Sequence, residues 1–361
     1  MKPVVVVTGT RPEIIKMAPI LRALKKAGLP HFFVHCGQHY DYSMAQQFIE
    51  NLELAAPDHW LKIAAASPGA QTAEIMAQMD ALLGKIEPSI VLVEGDTNTV
   101  LSAALAANKR MLPVGHVEAG LRSFDLRMPE EHNRRLTDHI SQFLFAPTER
   151  AISNLKSENV WGKIYLTGNT AIDAVNEHLP IAEKKSQIMQ QIPFGEFALA
   201  TAHRAENVDD PAVLDSFMGV FAESPLPIVY PMHPRTRKRL MENRLLSKME
   251  ALKNVLILPP LGYLDFLVLM QKSKLIITDS GGIQEEATAP SIRKRVLVIR
   301  LSTERQEAVE AGFATVVGTD RKQILAGMYE ALEEKDALPY VSPFGDGRAA
   351  ERTVDIIKKS F

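Results

Sequence analysis

Cysteine is nearly absent from the sequence, with Cys36 the only one among 361 residues. A lone thiol cannot form an internal disulfide, so nothing indicates an oxidising compartment or a disulfide-stabilised scaffold. Cys36 ends an apolar run that begins at His31. We interpret it as the buried thiol of a strand, the alternative being a nucleophile.

Long apolar runs and an excess of one charge are absent as well. No stretch reaches the ~20 apolar residues that a membrane-spanning helix needs. Lys2-Pro3 leads directly into the short apolar run Val4–Val7, so we expect no secretory leader and a cytoplasmic location. The formal net charge is −2, without a dense run of Lys and Arg, which argues against nucleic acid and membranes as partners.

Short apolar runs alternate with amphipathic segments along nearly the whole chain. Most runs are apolar on both faces, which is typical of parallel strands covered by helices on each side. Strands are predicted at residues 4–7, 31–36, 90–93, 114–117, 143–146, 164–167, 197–202, 228–230, 255–258, 275–278, 296–299 and 315–317. Helices are predicted at residues 12–27, 71–86, 97–108, 131–141, 148–158, 212–222, 235–242, 263–271, 283–288, 304–311, 321–334 and 347–361.

This alternation in two blocks predicts an α/β protein with two doubly wound, Rossmann-like domains. A length of 361 residues agrees with two domains, at ~150 residues for each. We place the first domain at residues 1–170 and the second at 171–342, with the connection around 168–195. The terminal segment 347–361 is expected to pack back onto the first domain, and Pro19 inside the first helix predicts a kink or a break.

Polar residues follow the predicted strands at their carboxyl ends, where open α/β sheets bind ligands. The segment Gly9–Glu13 follows the first strand and opens a helix, where free backbone N–H groups favour an anion. Arg11 adds a permanent charge suited to phosphate, and Lys16 lies about one turn further. The alternative is an ordinary helix-start turn with a solvated arginine, and the dinucleotide fingerprint Gly-x-Gly-x-x-Gly is absent.

Carboxylates form a second group of candidates. Asp96 and Glu118 each come just after a buried strand, and Glu130-Glu131 closes a polar loop. Carboxyl groups gathered at one apolar edge move one another's pKa values apart, so that one becomes a base and another an acid. The alternative is structural, with Asp96 capping the next helix and Glu118 pairing with Arg122 or Arg134.

The second block carries two further candidates. His203 follows the strand at 197–202 and could titrate near neutrality or donate to a phosphate oxygen. After the strand at 275–278, Ser280 and the pair Gly281-Gly282 let the backbone approach a second phosphate. Glu285 or Glu286 lies one turn on, where a carboxylate can accept from ribose hydroxyls. The alternatives are a structural histidine and an ordinary Gly-Gly turn.

Metal-binding motifs are not apparent. His116, Glu118 and His132 are near one another in sequence, but there is no His-Glu-x-x-His helix and no Cys/His cluster, so no metal is predicted. The residues therefore predict two domains facing across a cleft, one with cations and carboxylates and one with a histidine and an anion cradle. Such a cleft suits a small molecule that carries a diphosphate and undergoes acid–base chemistry at its other end.

Taken in order, these motifs resemble the non-hydrolysing UDP-N-acetylglucosamine 2-epimerase family. The ordered set is far more specific than any one motif. The resemblance implies the glycosyltransferase-B type of architecture, with a UDP-binding C-terminal domain and a homodimer. The matching segments are Gly9–Lys16, Gly95–Thr97, Gly115–Arg122, Pro129–Glu131, Thr167–Thr170, His203–Asn207 and Thr278–Glu286.

The resemblance also implies an activity. Members interconvert UDP-N-acetylglucosamine (UDP-GlcNAc) and UDP-N-acetylmannosamine (UDP-ManNAc), a precursor of cell-surface polysaccharide. They do so by anti elimination of UDP to 2-acetamidoglucal and re-addition, without a metal or nicotinamide cofactor. Three alternatives stay open: a hydrolysing epimerase that releases free ManNAc and UDP, a glycosyltransferase of the same architecture, and a nucleotide-sugar sensor.

Residue roles follow from the same resemblance. The acid–base candidates are Asp96, Glu118 and Glu130, and His203 would assist the departing UDP. The substrate-binding candidates are Arg11, Ser280, Gly281 and Gly282 for the phosphates, Glu286 for the ribose, and Lys16 as a weaker one. Gln38 and His39 resemble a segment near a second, regulatory UDP-GlcNAc site of some bacterial members.

One segment departs from the family pattern. Leu301 and Gln306 stand where the family has Asp and Pro. The loss of a proline is expected to loosen this loop by raising the entropy of the unfolded chain, worth up to ~1 kcal/mol. The wall near the nucleotide is therefore expected to differ from that of other members.

Overall fold

Two compact units make up the chain, whose computed structural model describes residues 2–38, 42–65, 67–334 and 336–361. Unit 1 comprises Met1–Ala174 and Phe344–Phe361, and unit 2 comprises Val175–Pro343. Each unit is built on a parallel sheet whose strands alternate with helices, which confirms the predicted α/β class. None of the helices in these ranges combines the length and the apolar character that crossing a bilayer requires.

Unit 1 contains a sheet of seven parallel strands within the described residues. They are β1 (Val4–Thr8), β2 (His31–Gln38), β3 (His59–Ile63), β4 (Ile90–Glu94), β5 (Val114–Val117), β6 (Phe143–Ala146) and β7 (Lys163–Leu166). Their order is β3-β2-β1-β4-β5-β6-β7, so the chain moves outward in one direction from β1 and in the other from β4. The carboxyl ends of β1 and β4 therefore flank the switch point at which open sheets bind ligands.

Unit 2 repeats this arrangement with six parallel strands within the described residues. They are β8 (Ala198–Thr201), β9 (Ile228–Pro231), β10 (Val255–Leu258), β11 (Leu275–Thr278), β12 (Val296–Val298) and β13 (Ala314–Val316). The order β10-β9-β8-β11-β12-β13 places the switch point between β8 and β11. The predicted motifs around His203 and Gly281-Gly282 follow these two strands.

The helices lie between the strands in chain order. They are α1 (Arg11–Lys26), α2 (Tyr42–Asn51), α3 (Pro68–Ile86), α4 (Asn98–Lys109), α5 (Pro129–Ile140), α6 (Glu149–Ser157), α7 (Thr170–Lys185), α8 (Ala205–Val208), α9 (Pro211–Glu223), α10 (Pro234–Glu242), α11 (Leu246–Glu250), α12 (Tyr263–Lys272), α13 (Gly281–Glu286), α14 (Gln306–Glu310), α15 (Arg321–Glu333) and α16 (Ala349–Ser360). A short 3-10 helix spans Ile188–Gln191.

The central strands are buried on both faces, as the sequence predicts for a covered parallel sheet. In β1, Val4 to Val7 are at most 1% exposed. Val5 and Val7 pack on one face with β4 and with the alanine-rich helix α4, whose small side chains allow close approach. Cys36 in β2 is buried as predicted, and its burial raises the pKa of the thiol well above the usual range.

The C-terminal helix packs against α1 within unit 1. Asp173 caps it, because the carboxylate accepts from the backbone N–H groups of Ala349 (3.2 Å) and Ala350 (2.9 Å). Just before the helix, Gly345 has φ 121°, and a Cβ there would lie 3.2 Å from the Cα of Gly168. Two glycines are therefore needed where these two backbone segments meet.

Several sequence-based expectations differ from the structure. The break expected at Pro19 does not occur, because α1 is continuous from Arg11 to Lys26 although an interior proline costs ~3 kcal/mol. The expected kink stays a prediction. No element was predicted between residues 168 and 195, yet α7 fills most of that range and contains Pro180. Strand β3 and helix α2 were also not predicted.

Candidate active site

A cavity of about 680 Å³ lies at the switch point of unit 1. Its lining includes the turn Gly9–Arg11 after β1, the turn Asp96–Thr99 after β4, and Glu130 and Asn133 of α5. The predicted candidates Arg11, Asp96 and Glu130 thus surround one space. Neither Lys16 nor Glu118 is among the described residues that line it.

The turn after β1 is held by Glu13. Its carboxylate accepts from the backbone N–H of Gly9 (2.7 Å) and from the hydroxyl of Thr10 (2.9 Å). Burial raises the pKa of Glu13 to about 7, although hydrogen bonds from Thr97, Gly9 and Thr10 oppose the shift. Gly9 cannot carry a side chain, because a Cβ would lie 2.1 Å from Oγ1 of Thr99. The turn is thereby fixed with its backbone at the cavity.

Asp96 pairs with a cation and does not cap a helix. Its carboxylate contacts the guanidinium of Arg134. The amide of Asn133 donates to the backbone carbonyl of Asp96 at 2.9 Å. Helix α4 is capped by Thr97, whose hydroxyl accepts from the backbone N–H of Val100 at 3.5 Å. The alternative assignment of Asp96 as a cap does not hold, and its carboxylate faces a neighbouring charge at the cavity.

Two adjacent carboxyl groups on α5 have different surroundings. Glu131 is fully buried, accepts from the backbone N–H and the hydroxyl of Ser123 (both 2.9 Å), and pairs with Arg134 at 3.1 Å. Glu130, in contrast, lines the cavity. Glu131 therefore holds the loop and Arg134 in place, whereas Glu130 is available for chemistry.

Glu118 contacts the ammonium group of Lys16. It also accepts a hydrogen bond of 3.3 Å from the side-chain amide of Asn169. Its backbone lies in the left-handed region (φ 68°), a conformation that costs energy for a residue other than glycine and that clusters at functional sites. Lys16 also lies 3.3 Å from Glu94, so it contacts two carboxylates. Neither Arg122 nor Arg134, the partners considered from the sequence, forms the pair described for Glu118.

His116 is a residue near the site whose position the sequence does not reveal. It is fully buried, with Nδ1 2.7 Å from the carboxylate of Asp138 and Nε2 2.8 Å from the carbonyl oxygen of Gly95. One imidazole therefore joins β5 to the turn that carries Asp96. The available signal was a polar residue inside the apolar run Val114–Val117, which fits a core histidine equally well.

In unit 2, His203 is oriented by Asp279. The carboxylate of Asp279 lies 3.0 Å from Nδ1 of His203 and accepts from the backbone N–H groups of His203 (2.7 Å) and Arg204 (2.8 Å). Burial alone would raise the pKa of Asp279, but the bonds from His203 and Arg204 lower it below its usual value. Because Nδ1 faces this carboxylate, Nε2 is the ring nitrogen that a ligand could meet. His233, which caps α10, stands 5.6 Å from His203 between ring centroids.

The Gly281-Gly282 turn opens α13 beside an arginine. A Cβ on Gly281 would lie 3.4 Å from Cζ of Arg305, and a Cβ on Gly282 would meet nothing within 4 Å. Arg305 donates to the fully buried Glu285 at 2.5 Å. Ser280 occupies the N-cap position without a side-chain cap bond. The structure thus brings Ser280, both glycines and a guanidinium together at the carboxyl end of β11.

Glu285 and Glu286, which the sequence left as alternatives, differ in exposure. Glu285 is fully buried, whereas Glu286 is partly exposed at the same helix. Burial, and then the carboxylate of Glu286, raise the pKa of the Tyr263 hydroxyl well above its usual value. Glu286 is therefore the carboxylate that a ligand could reach.

The loop that departs from the family pattern is closed by side chains. The amide of Gln306 donates to the carbonyl of Thr303 at 2.8 Å, and the hydroxyl of Thr303 donates to Gln284 at 2.6 Å. Arg300 and Glu304 pair at 2.8 Å. Gln306 thus provides a bond within the loop that a proline could not donate, while Leu301 is 84% exposed.

The predicted regulatory residues are only partly described. Gln38 ends strand β2, and the structure describes its backbone alone. His39 lies outside the described residues.

Comparison with known proteins identifies close relatives. A family model described as UDP-N-acetylglucosamine 2-epimerase matches residues 22–358. The UDP-N-acetylglucosamine 2-epimerase of Methanocaldococcus jannaschii is 42% identical over 361 residues, which cover 98% of each chain. The UDP-2,3-diacetamido-2,3-dideoxy-D-glucuronate 2-epimerase of Pseudomonas aeruginosa is 37% identical over 99% of each chain.

A solved structure agrees over the whole length. It is the crystal structure of the Methanocaldococcus jannaschii UDP-GlcNAc 2-epimerase in complex with UDP-GlcNAc and UDP, with 42% sequence identity. The match covers 99% of this chain and 100% of that chain, with a TM-score of 0.87. Sequence and fold therefore point to the same group of proteins.

Proposed function

The chain belongs to the UDP-N-acetylglucosamine 2-epimerase family, and from that premise we propose that it interconverts UDP-GlcNAc and UDP-ManNAc. The observation that carries the proposal is the group of carboxyl side chains at the carboxyl ends of the strands of unit 1. Asp96 and Glu130 line the cavity, and Glu118 lies beside Lys16. Inversion at C2 removes a proton from one face and delivers one to the other, which needs at least two acid–base groups.

The proposed reaction runs by elimination and re-addition. A carboxylate takes the C2 proton, and the electron pair of the C2–H bond forms the C1=C2 double bond. The C1–O bond breaks, and UDP leaves with that bonding pair to give 2-acetamidoglucal. UDP then re-adds to C1 while a protonated carboxyl delivers a proton to the opposite face of C2. Asp96, Glu118 and Glu130 are the groups proposed for these transfers.

Unit 2 is proposed to hold the UDP part. Gly281 and Gly282 let the backbone N–H groups of α13 approach the phosphates, and Ser280 adds a hydroxyl. His203, whose Nδ1 lies 3.0 Å from the carboxylate of Asp279, would present Nε2 to the leaving diphosphate and stabilise its charge. Glu286 is proposed to accept from the ribose hydroxyls.

Arg11 is proposed as a phosphate ligand of unit 1, because it lines the cavity at the start of α1. The surroundings of Lys16 favour a different role. Its ammonium group pairs with Glu94 and Glu118, so we propose that its charge stabilises these carboxylates and does not bind the ligand directly. A phosphate contact of Lys16 would have to compete with these two carboxylates.

Assembly and location complete the proposal. The homodimer that the family resemblance implies is part of the proposal. Light scattering after gel filtration would give the mass directly. The cytoplasmic location stays a prediction.

The experiment that tests the proposal follows the products from UDP-GlcNAc by phosphorus NMR and chromatography. The non-hydrolysing reaction predicts UDP-ManNAc at equilibrium with the substrate and little free UDP. Stoichiometric free UDP with free ManNAc would identify the hydrolysing reaction instead. A parallel assay with UDP-2,3-diacetamido-2,3-dideoxy-D-glucuronate tests the substrate named for the Pseudomonas aeruginosa relative, and turnover of that substrate alone would reassign the specificity.

A further inference from the structure

The end of β4 holds a carboxyl group that the proposed reaction does not use. Glu94 is 2% exposed and directly precedes the Gly95-Asp96 turn. Its Oε1 lies 3.3 Å from Nζ of Lys16, an ion-pair distance without hydrogen-bond geometry. The same ammonium group contacts Glu118 just after the neighbouring strand β5. Lys16 therefore stands between an unassigned carboxyl and one of the proposed acid–base groups.

Among the contacts described for this cluster, the charges do not balance if every carboxyl is ionised. The side chains of Lys16, Glu94 and Glu118 are only 14%, 3% and 8% exposed. One ammonium can neutralise one of the two carboxylates, and Glu13 from α1 adds a further acidic group next to Glu94. On the other side, His116 of β5 bonds to the carbonyl of Gly95 and not to Glu94. A buried, uncompensated charge is costly, and the usual outcome is that one group stays neutral.

The surroundings of the two carboxyls decide which one keeps a proton. Glu118 makes the closer contact with Lys16 and accepts from the amide of Asn169. Glu94 is more deeply buried, lies farther from the ammonium, and has an oxygen that accepts no hydrogen bond from the residues that the structure describes. Burial raises the pKa of Glu94 well above its ordinary value, Lys16 lowers it, and the charges of Glu118 and Glu13 raise it further.

We propose that Glu94 is a positioning residue that carries a proton in the resting protein and so leaves the ammonium group of Lys16 to Glu118. Glu118 is then held in its ionised form, ready to accept a proton. When Glu94 ionises at higher pH, the ammonium is shared between two carboxylates and a second negative charge appears beside the reacting carbon. This consequence for catalysis rests on the proposed function, whereas the protonation state of Glu94 does not.

The protonation state is measured by carbon NMR of protein labelled at the glutamate carboxyl carbon. The resonance of Glu94 is identified as the one missing from E94Q. We expect it to show the shift of a protonated carboxyl at neutral pH and to move to the ionised shift as the pH rises. A resonance already at the ionised shift at neutral pH would overturn the proposal.

Coupling through Lys16 is tested by E118Q. Removing the charge of Glu118 leaves the ammonium to Glu94, so the Glu94 transition should move to lower pH. The matched control is E158Q, because Glu158 is a largely buried carboxylate that pairs with Arg122 and Arg135. E158Q should leave the Glu94 transition in place. An unchanged transition in E118Q would contradict the shared ammonium. If E94Q did not fold, E94D, which also lacks the Glu94 resonance, would provide the assignment.

The catalytic consequence is tested by the pH dependence of kcat/KM. E94Q is permanently neutral at this position, so it should keep kcat/KM within about threefold at neutral pH and lose the alkaline decline of the unsubstituted protein. The same alkaline decline in both proteins would overturn the catalytic part. If the unsubstituted protein showed no epimerase turnover at all, the proposed function would fail while the NMR titration still decided the protonation of Glu94.

Discussion

The imidazole of His116 and the carboxylate of Asp138 form a fully buried pair, with Nδ1 2.7 Å from Oδ1. The other ring nitrogen lies 2.8 Å from the carbonyl oxygen of Gly95, which can only accept, so Nε2 carries a proton. Asp138 also pairs with Arg122 (2.8 Å) and accepts from the backbone N–H of Gly120 (3.2 Å), so further contacts hold its carboxylate in place. This pair links the strand before Glu118 to the turn that carries Asp96.

Replacing His116 should therefore harm catalysis through the position of Asp96. H116Q loses the bond to the Gly95 carbonyl or the one to Asp138, and a displaced carboxylate is expected to lower kcat/KM by ~100-fold. An unpaired buried group should also lower the free energy of unfolding by ~1–3 kcal/mol. Kinetics and urea unfolding measure the two effects separately. H139Q is the control, because the hydrogen bond described for the exposed imidazole of His139 goes to a carbonyl of its own helix. A folded H116Q with normal kcat/KM would refute the link.

Asp96 itself is expected to act on the substrate. D96N keeps the shape of the side chain but removes its charge, so kcat should fall by ~10²–10⁴-fold, the range for loss of a general acid or base. Binding of UDP-GlcNAc, measured by calorimetry, should change far less. D80N is a suitable control, because Asp80 is an exposed carboxylate paired with Arg110. Full turnover by D96N would remove Asp96 from the reaction.

Much of this arrangement could be predicted from the sequence, for reasons that also explain what could not. The strands at 143–146 and 255–258 were predicted with their observed bounds, because consecutive apolar residues mark the strands of a covered parallel sheet. Strand β3 was not predicted, because it lies at the sheet edge and includes exposed positions, so its pattern is weak. Helix α7 was not predicted, because Pro180 and the polar residues around it are typical of a connecting segment.

The site shows the same division. Motifs at strand ends identify the residues of each edge, since the carboxyl ends of parallel strands lie together. Pairings across the sheet are not encoded locally. Lys16 meets Glu118 across 102 positions of sequence, and His116 meets Asp138 across 22. Burial also distinguishes neighbours that the sequence cannot tell apart. Glu131 and Glu285 are fully buried, whereas Glu130 and Glu286 are accessible.

Glu13 predicts a pH dependence of stability. Its pKa is raised by burial from 4.5 to about 7, so the folded protein keeps a proton that the unfolded chain releases between those values. The contribution of this proton to the free energy of unfolding should be fully present below pH 4.5. It should be lost as the pH rises toward 7, by an amount on the order of 3 kcal/mol. In E13Q this component should vanish. Urea unfolding at several pH values measures this pH dependence. If the free energy of unfolding changed equally with pH in E13Q and in the unsubstituted protein, Glu13 would not be its source.

The Gly281 turn predicts a separation of binding from folding. In G281A, the new methyl group would lie 3.4 Å from Arg305, which is an ordinary contact, so unfolding should change by less than ~1 kcal/mol. The methyl group would occupy the approach of a phosphate, so the Kd for UDP should rise by ~10-fold or more. Calorimetry with UDP measures this. G262A is the control, because a Cβ on Gly262 would meet no described atom within 4 Å. Unchanged UDP binding in G281A would place the diphosphate elsewhere.

The most direct test of the proposed chemistry is made at C2 of the sugar. The protein is incubated with UDP-GlcNAc in deuterated water, and the C2 proton is followed by proton NMR. Removal and return of that proton by carboxyl groups in exchange with solvent predicts deuterium at C2 as UDP-ManNAc appears. An intact C2–H signal, with no new sugar nucleotide, would contradict the epimerase account and direct attention to transfer onto an acceptor or to binding without turnover.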